Sequence, residues 1–142
     1  MQTLLTRDIV DKLSDKLKCK KKVLSSFLGV TPTTLSTNIE KPFSEVKDNK
    51  FGKRLVSLLY VCEAFEKDLS IAPEVLRHIL VTPKYRSKSG IFLDVISALH
   101  SDEYNVEFLV EVAKTALDNL RKKFEEDNTP SKNSLYRQVA NA

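Results

Sequence analysis

The sequence predicts an all-α fold, with short helices near the N-terminus followed by a small helical bundle and a long C-terminal helix. Apolar residues recur at intervals of three and four along most of the 142 residues, which is the period of a helix with one buried face. The alternation of apolar and polar residues that marks a half-buried strand is absent, and the chain has only 3 glycines. We therefore expect helical regions at residues 1–42 and 51–125, and a polar, disordered tail at residues 126–142.

The first predicted helix runs from Thr6 to Leu17. Its apolar residues share one face because their spacing follows the helical repeat: Ile9, Val10, Leu13 and Leu17. We expect that face to pack against the helices that follow.

The stretch from Lys21 to Glu40 has the pattern of two short helices joined by a turn at Gly29. Glycine suits that turn because it adopts positive φ without steric cost. Thr31 is placed to cap the second helix, and Pro32 suits its first position. The remaining positions fit a close crossing of the two helices, with apolar side chains at the contact and a small one at the point of approach: Leu24, Leu28, Val30, Leu35 and Ser25.

The segment LGVTPTTLSTNI, centred on Leu28-Gly29-Val30, resembles the helix-turn-helix of the lambda repressor and Cro family. The resemblance covers about the first third of the chain, with the helix at Thr6 to Leu17 standing for the family's first helix. It implies that double-stranded DNA is the partner and that the second helix of the motif lies in the major groove. The residues expected to touch bases or backbone are short and polar, where the family usually has Gln, Arg or Lys: Thr31, Thr33, Ser36 and Thr37, with Asn38 near the edge of this face.

The net charge of +4 is unevenly distributed along the chain. Residues 1–54 hold 12 Lys/Arg against 6 Asp/Glu, whereas residues 55–142 hold 11 against 13. Lysines cluster just before the two short helices, where ammonium groups can meet phosphates and release counterions. The residues expected to hold phosphates are Lys20, Lys21, Lys22 and Lys41. The alternative interpretation is a solvated, lysine-rich loop.

The pattern after Lys41-Pro42 predicts further helices, with a loop or short helix over residues 43–50. The first has a buried stripe of Leu55, Leu58, Leu59, Cys62 and Phe65 and spans Phe51 to Glu66. The next starts at Pro73, carries Val75, Leu76, Ile79 and Leu80 inside, and is stopped by Thr82-Pro83. Another opens at Ser89 or Gly90 with Phe92, Val95, Ile96 and Leu99, and the last spans Asn105 to Glu125.

The last predicted helix carries apolar residues at steps of three, four, three and four: Val110, Ala113, Leu117, Leu120 and Phe124. This heptad spacing suits a helix–helix seam. Two interpretations are open, a core helix of one chain and a contact between two chains. A homodimer is attractive because helix-turn-helix proteins usually bind paired half-sites.

Residues 74–117 are similar to the toxin-binding domain that follows a helix-turn-helix in one group of bacterial antitoxins. The similarity lies in Leu80-Val81-Thr82-Pro83, a loop ending at Gly90, and Leu93-Asp94-Val95-Ile96. The resemblance implies that the C-terminal helices bind a toxin while the N-terminal helices repress the operon. The tryptophan and the later glycine of that pattern are absent from this chain.

The sequence offers little for catalysis. His78 and His100 are isolated, and no carboxylate pair, phosphate-binding glycine loop or nucleophile motif is present. Cys19 and Cys62 have neither metal spacing nor a disulfide framework, so we expect free thiols. We expect no enzyme activity, metal or cofactor. Neither a signal peptide nor an apolar run of transmembrane length is apparent, so cytoplasmic residence is expected.

Together these patterns predict a transcriptional regulator of the phage or plasmid repressor type, which binds duplex DNA as a homodimer. One alternative is an antitoxin. The other is a helical protein-binding module without DNA affinity, and the lack of a basic residue on the outer face of the motif's second helix favours this second alternative.

Overall fold

The computed structural model describes residues 4–67, 71–82, 85–86, 92–102 and 104–128, with the backbone alone described for 85–86, 92–93 and 124–128. Over these ranges the chain forms eight helices and one antiparallel pair of two-residue strands. The elements are α1 Thr6–Leu17, α2 Lys21–Leu28, α3 Pro32–Ile39, α4 Phe43–Val46, α5 Lys50–Glu63, α6 Pro73–Val81, β1 Tyr85–Arg86, β2 Phe92–Leu93, α7 Val95–Ser101 and α8 Val106–Asn128. The predicted all-α class is confirmed.

Helix α1 has the bounds that its apolar spacing predicts. Val10, Leu13 and Leu17 are completely buried. The helix ends at Lys18, which adopts the left-handed conformation with φ 46° and ψ 50°. The Cys19 N–H then donates to the Ser14 carbonyl at 3.3 Å, which closes the last turn.

The turn between α2 and α3 has the predicted glycine geometry. Gly29 lies at φ 70° and ψ 31°. Its N–H donates to the Ser26 carbonyl at 3.1 Å and the Val30 N–H donates to the Ser25 carbonyl at 3.0 Å, which together form a Schellman motif. Thr31 caps α3 as expected, because its Oγ1 accepts the Thr34 N–H at 3.1 Å.

Helices α2 and α3 pack closely through side chains of the predicted kinds. Leu24, Leu28 and Leu35 are at most 1% exposed. Ser25 is equally buried, and its Oγ donates to the Lys22 carbonyl at 2.7 Å. The small side chain therefore permits a close crossing while its hydroxyl keeps a hydrogen bond.

Helix α5 is the central support of the fold, since it packs against α1, α2, α7 and α8. Leu55, Leu58 and Val61 on it are completely buried. One cluster of buried apolar side chains runs through both predicted helical regions. The short N-terminal helices therefore rest on the same core as the C-terminal ones.

The predicted start of the helix after the basic loop is wrong. Phe92 lies in β2, which pairs with β1 in the register Tyr85 with Leu93 and Arg86 with Phe92. Helix α7 begins at Val95 instead of at Ser89 or Gly90, because the Asp94 carboxylate accepts the Ser97 N–H at 2.7 Å and caps the helix there.

The predicted contact between two chains along the last helix needs correction. Val110, Ala113 and Leu117 are 7%, 0% and 6% exposed, and α8 packs on α5, α6 and α7 of the same chain. These three residues form the core of the single chain and present no surface to a second copy. Leu120 is half-buried. The side chain of Phe124 lies outside the described residues.

The predicted boundary between the last helix and the tail is wrong by three residues, because residues 126–128 belong to α8. The rest of the predicted tail, 129–142, lies outside the described residues. None of the helices within the described ranges combines the length and apolar character needed to cross a bilayer.

Candidate nucleic-acid interface

The outer face of α3 is open to solvent and lined by hydroxyl groups. Thr33, Ser36 and Thr37 are exposed, as predicted, and so is Thr34. The inner face is buried, with Leu35 only 1% exposed. The main neighbours of α3 are α1 and α2, which both lie on its inner side. The outer face is therefore accessible to a macromolecular partner.

The hydroxyl groups of this face differ in what they already bind. Thr31 Oγ1 accepts the Thr34 N–H and donates to Thr34 Oγ1 at 2.9 Å, so its hydroxyl is committed to the helix cap. Thr37 Oγ1 donates to the Thr33 carbonyl at 3.0 Å. The hydroxyls of Thr33 and Ser36 make no hydrogen bond within the described part of the chain. Those two hydroxyls are free for a ligand, and so is the proton of Thr34, whose Oγ1 only accepts from Thr31.

Asn38 does not belong to this face. The sequence pattern placed it at the edge, but the side chain is only 7% exposed and lies beside the buried Ile39. Three residues after Leu35, it falls on the same inner side of the helix. Asn38 is therefore part of the packing between α3 and its neighbours.

The lysines predicted to hold phosphates are exposed and carry uncompensated charge. Among the residues that the structure describes, these four form no ion pair: Lys20, Lys21, Lys22 and Lys41. The nearby lysines of α1 are different, since Lys16 Nζ lies 2.7 Å from Glu66 and Lys12 Nζ lies 3.2 Å from Glu63. The predicted set thus keeps its positive charge for a partner.

Lys18, which belongs to the same run of lysines in the sequence, is bound internally. Its Nζ lies 2.8 Å from a carboxylate oxygen of Asp15. This hydrogen bond and the attraction of the ammonium group lower the pKa of Asp15. Only the lysines after Lys18 are therefore available to meet a phosphate.

The N-terminus of α2 adds a second source of positive potential. Lys20 is its N-cap, with φ −74° and ψ 158°, and no side chain in the described ranges caps the helix. The Val23 N–H donates to the Lys20 carbonyl at 3.0 Å, whereas the N–H groups of Lys21 and Lys22 make no hydrogen bond among the described residues. Free first-turn N–H groups carry the positive end of the helix dipole. This end of α2 therefore combines two free backbone donors with the lysine side chains of the same residues.

The acidic residue that ends α3 is paired. Glu40 accepts a hydrogen bond from the Arg7 guanidinium of α1. Both side chains are largely exposed, so the pair contributes little to stability. Its consequence is electrostatic, because it neutralises a carboxylate at the end of the hydroxyl-lined helix.

Arg54 of α5 fixes the turn between α2 and α3 to the rest of the protein. Its Nη1 donates to the Leu28 carbonyl at 3.0 Å, and its Nη2 donates to the His100 carbonyl at 3.1 Å. Nε and Nη2 each donate to an Asp102 carboxylate oxygen at 2.8 Å. These hydrogen bonds raise the pKa of Arg54 and lower the pKa of Asp102.

His100 makes the second contact to the same turn. Its Nε2 lies 2.8 Å from the Phe27 carbonyl, so this nitrogen carries the proton and donates. A Cβ added at Gly29 would lie 2.7 Å from Arg54 Nη1 and 3.0 Å from the His100 ring. The turn therefore needs glycine both for its φ and for the approach of these two side chains. Nothing in the sequence pairs Arg54 or His100 with residues so distant.

Other sites and relationships give no further guidance to function. The described residues contain no group of three His, Cys, Asp or Glu side chains that could hold a metal ion. Residues 83–84 and 87–91, which carry part of the antitoxin-like pattern, lie outside the described ranges. Comparison with protein-family models, with curated proteins and with solved structures gave no match.

Proposed function

We propose that the chain is a sequence-specific DNA-binding transcriptional regulator of the repressor type, in which α2, the turn at Gly29 and α3 act as a helix-turn-helix. One observation carries the proposal. A solvent-exposed row of hydroxyls on α3 is flanked by four lysines that form no ion pair among the described residues. A helix that served only to pack its neighbours would not require this combination.

The contacts of the proposed complex follow from the available groups. The free hydroxyls of Thr33 and Ser36 donate to or accept from base edges in the major groove. The Thr37 methyl group, on the same exposed face, suits contact with a thymine methyl. Lys20, Lys21 and Lys22 hold one phosphate strand with the N-terminus of α2, and Lys41 holds phosphates at the other end of α3.

The phosphate contacts supply most of the affinity in this arrangement. No Arg, Lys, Gln or Asn lies on the outer face of α3, so bidentate recognition of a guanine or adenine by this helix is absent. Four lysine contacts correspond to a log–log dependence of the binding constant on salt of about −3.6.

We further propose that two copies bind paired half-sites. The buried residues of α8 cannot form the contact, but the helix continues to Asn128. Between Asp118 and Lys123 every side chain except Leu120 is exposed. This end of α8 extends beyond the core and is the surface that we assign to the second copy. Sedimentation at micromolar concentration tests it, and a monomer that persists on duplex DNA would contradict it.

The test of DNA binding is fluorescence anisotropy with a labelled random-sequence duplex across a range of salt concentrations. We expect binding at low salt and a slope near −3.6 for the wild-type chain. The Lys21→Glu/Lys22→Glu variant should bind far more weakly and keep its helical circular dichroism. The matched control is Lys67→Glu/Lys114→Glu, which reverses two exposed lysines that are assigned neither to DNA nor to the second copy. Absence of duplex binding even at low salt would overturn the proposal.

A further inference from the structure

A groove beside α5 holds two cavities of about 670 and 370 Å³. Phe43 and Val56 line both cavities, so the two spaces are adjacent. Each has the size of a small-molecule site. None of the residues assigned to duplex DNA lines either cavity.

One end of the groove is cationic. Lys50 and Lys53 lie on successive turns of α5, and Lys47 follows α4. The carboxylates of Asp48 and Asp102 line the same end. The two hydrogen bonds from Arg54 neutralise Asp102, although Lys50 Nζ also lies 3.7 Å from its Oδ2. Among the described residues, Lys47, Lys53 and Asp48 form no ion pair, while Lys50 shares Asp102 with Arg54. Three lysines and Arg54 therefore stand against two carboxylates at this end, which leaves it with net positive charge.

Hydroxyl groups lie between the charges. Tyr104 donates its hydroxyl proton to Ser57 Oγ at 2.8 Å, and both residues line the cationic end. The Ser57 proton is left for another acceptor, because its oxygen already receives a hydrogen bond. An anionic group bound here has a neutral donor in addition to the lysines.

The other end of the groove is apolar. Most of its lining is apolar: Leu4, Ile9, Leu59 and the shared Phe43 and Val56. Asp8 and Lys12 also line it, and Lys12 forms an ion pair with Glu63. Leu4 is 55% exposed and Val56 is 46% exposed. Large apolar side chains grouped in an open groove mark a binding surface more often than do isolated ones.

We propose that this groove binds a free, single-chain anionic amphiphile, with a phosphate or carboxylate head and an alkyl tail. Lys50, Lys53 and Ser57 hold the head, and Phe43, Val56 and Leu59 contact the tail. The contrast between the two ends carries the assignment. A simple anion would leave the apolar end empty, and a neutral hydrocarbon would leave the net positive charge of the other end without a partner. The inference does not depend on DNA binding.

The test uses hexyl phosphate as the probe, with inorganic phosphate and hexanol as separate half-probes. Titrations are followed in ¹H–¹⁵N spectra of the full chain. We expect saturable shifts at amides around Lys50, Lys53 and Val56 with hexyl phosphate. Each half-probe should bind about tenfold more weakly or worse, since it lacks either the charge-assisted hydrogen bonds or the apolar contact.

Two pairs of variants locate the head and the tail. Lys50→Gln/Lys53→Gln should weaken hexyl phosphate binding by about tenfold, whereas Lys67→Gln/Lys114→Gln, at exposed lysines outside the groove, should not. Val56→Ser should weaken it by about threefold or more, whereas Val81→Ser should not. Val81 is a matched control because it is 45% exposed on α6, against 46% for Val56 on α5. All six substitutions in these four variants lie at exposed positions, and circular dichroism checks that the fold is retained.

Three results would overturn the inference. The first is the absence of saturable shifts in the groove on addition of hexyl phosphate, or equal affinity of hexyl phosphate for the control variants and the groove variants. The second is a chain that sediments as a dimer, dissociates on Val56→Ser and ignores hexyl phosphate, which would make the groove an interface between copies. The third is a Lys50→Gln/Lys53→Gln variant that loses duplex affinity but not hexyl phosphate affinity, which would assign these lysines to DNA.

Discussion

Arg54 and Asp102 form a bidentate pair, with both N–H···O distances 2.8 Å. The Arg54 side chain is 11% exposed, and its remaining donors reach carbonyls at the ends of α2 and α7. One guanidinium thus joins the proposed DNA-binding helices to the C-terminal half of the chain. The position of the turn before α3 depends on it.

Removal of the Arg54 guanidinium should destabilise the protein strongly. Arg54→Leu leaves Asp102 and two carbonyls without their donor, and we expect the free energy of unfolding to fall by about 3 kcal/mol. Urea denaturation followed by circular dichroism measures the change. Lys53→Leu is the neighbouring control at an exposed position and should change stability by less than about 0.5 kcal/mol. If the two substitutions lower the free energy of unfolding equally, the Arg54–Asp102 pair does not stabilise the fold.

The same pair predicts how stability depends on acid. The hydrogen bonds from Arg54 lower the pKa of Asp102 in the folded chain below its ordinary 3.8. The ionised form is therefore the stabilising one, and its contribution is complete above the unfolded pKa and lost as pH falls through the folded pKa. The stability difference between wild type and Asp102→Asn should be constant near neutral pH and shrink below about pH 4. A difference that grows as pH falls would contradict this assignment.

Gly29 should tolerate no side chain. Gly29→Ala places a Cβ in the left-handed region, which costs about 1–2 kcal/mol, and brings it 2.7 Å from Arg54 Nη1. We therefore expect the free energy of unfolding to fall by more than about 2 kcal/mol, as measured by thermal and urea unfolding. The comparison is Gly29→Ala in an Arg54→Leu background, where the close contact with Nη1 is removed and the one with the His100 ring at 3.0 Å stays. If Gly29→Ala lowers the free energy of unfolding as much in the Arg54→Leu background as in the wild-type chain, the contact with Arg54 is unimportant.

The opposite substitution at the end of α1 should be favourable. Lys18 has φ 46°, a conformation that glycine adopts more easily. Lys18→Gly should raise the free energy of unfolding by about 0.5–1 kcal/mol, even though the exposed ion pair with Asp15 is lost. Lys16→Gly, inside the helix, should instead destabilise by about 1 kcal/mol. A loss of stability on Lys18→Gly would contradict the account of this helix end.

The two thiols should react at different rates. Burial raises the pKa of Cys62 to about 12, and the side chain is 2% exposed. Burial also raises the pKa of Cys19, with partial opposition from Arg77, but this side chain is half-buried. Because the thiolate is the reactive form, a disulfide reagent at pH 8 should modify Cys19 first and Cys62 only on unfolding. Prompt modification of both thiols in the native chain would contradict the packing around α5.

Much of the N-terminal structure follows from local rules. The spacing of Val10, Leu13 and Leu17 fixes α1, while Gly29 and Thr31 mark the end of α2 and the start of α3. Glycine conformation, threonine capping and helical periodicity act over a few residues, so one sequence suffices to predict them. The exposed hydroxyls of Thr33, Ser36 and Thr37 follow from the same periodicity.

Contacts between distant segments could not be predicted in this way. Arg54 and Asp102 are separated by 48 residues, and no local pattern connects them. The heptad spacing on α8 could not be interpreted from the sequence for the same reason. The spacing of apolar residues identifies which face of a helix is buried, but not which helix packs against it. Val110 and Ala113 are covered by helices of the same chain. Asn38 was misplaced because a polar residue at the border of a helical face has no strong preference between the two sides.

We propose that α2 and α3 present an open, hydroxyl-lined face to duplex DNA. A ¹H–¹⁵N titration with a short duplex at low salt locates the bound face residue by residue. We predict that shifts concentrate in the first turn of α2, at Lys21 and Lys22, and on α3 at Thr33, Ser36 and Thr37. Spectra that remain unchanged, or shifts confined to helices α6 to α8, would contradict the claim.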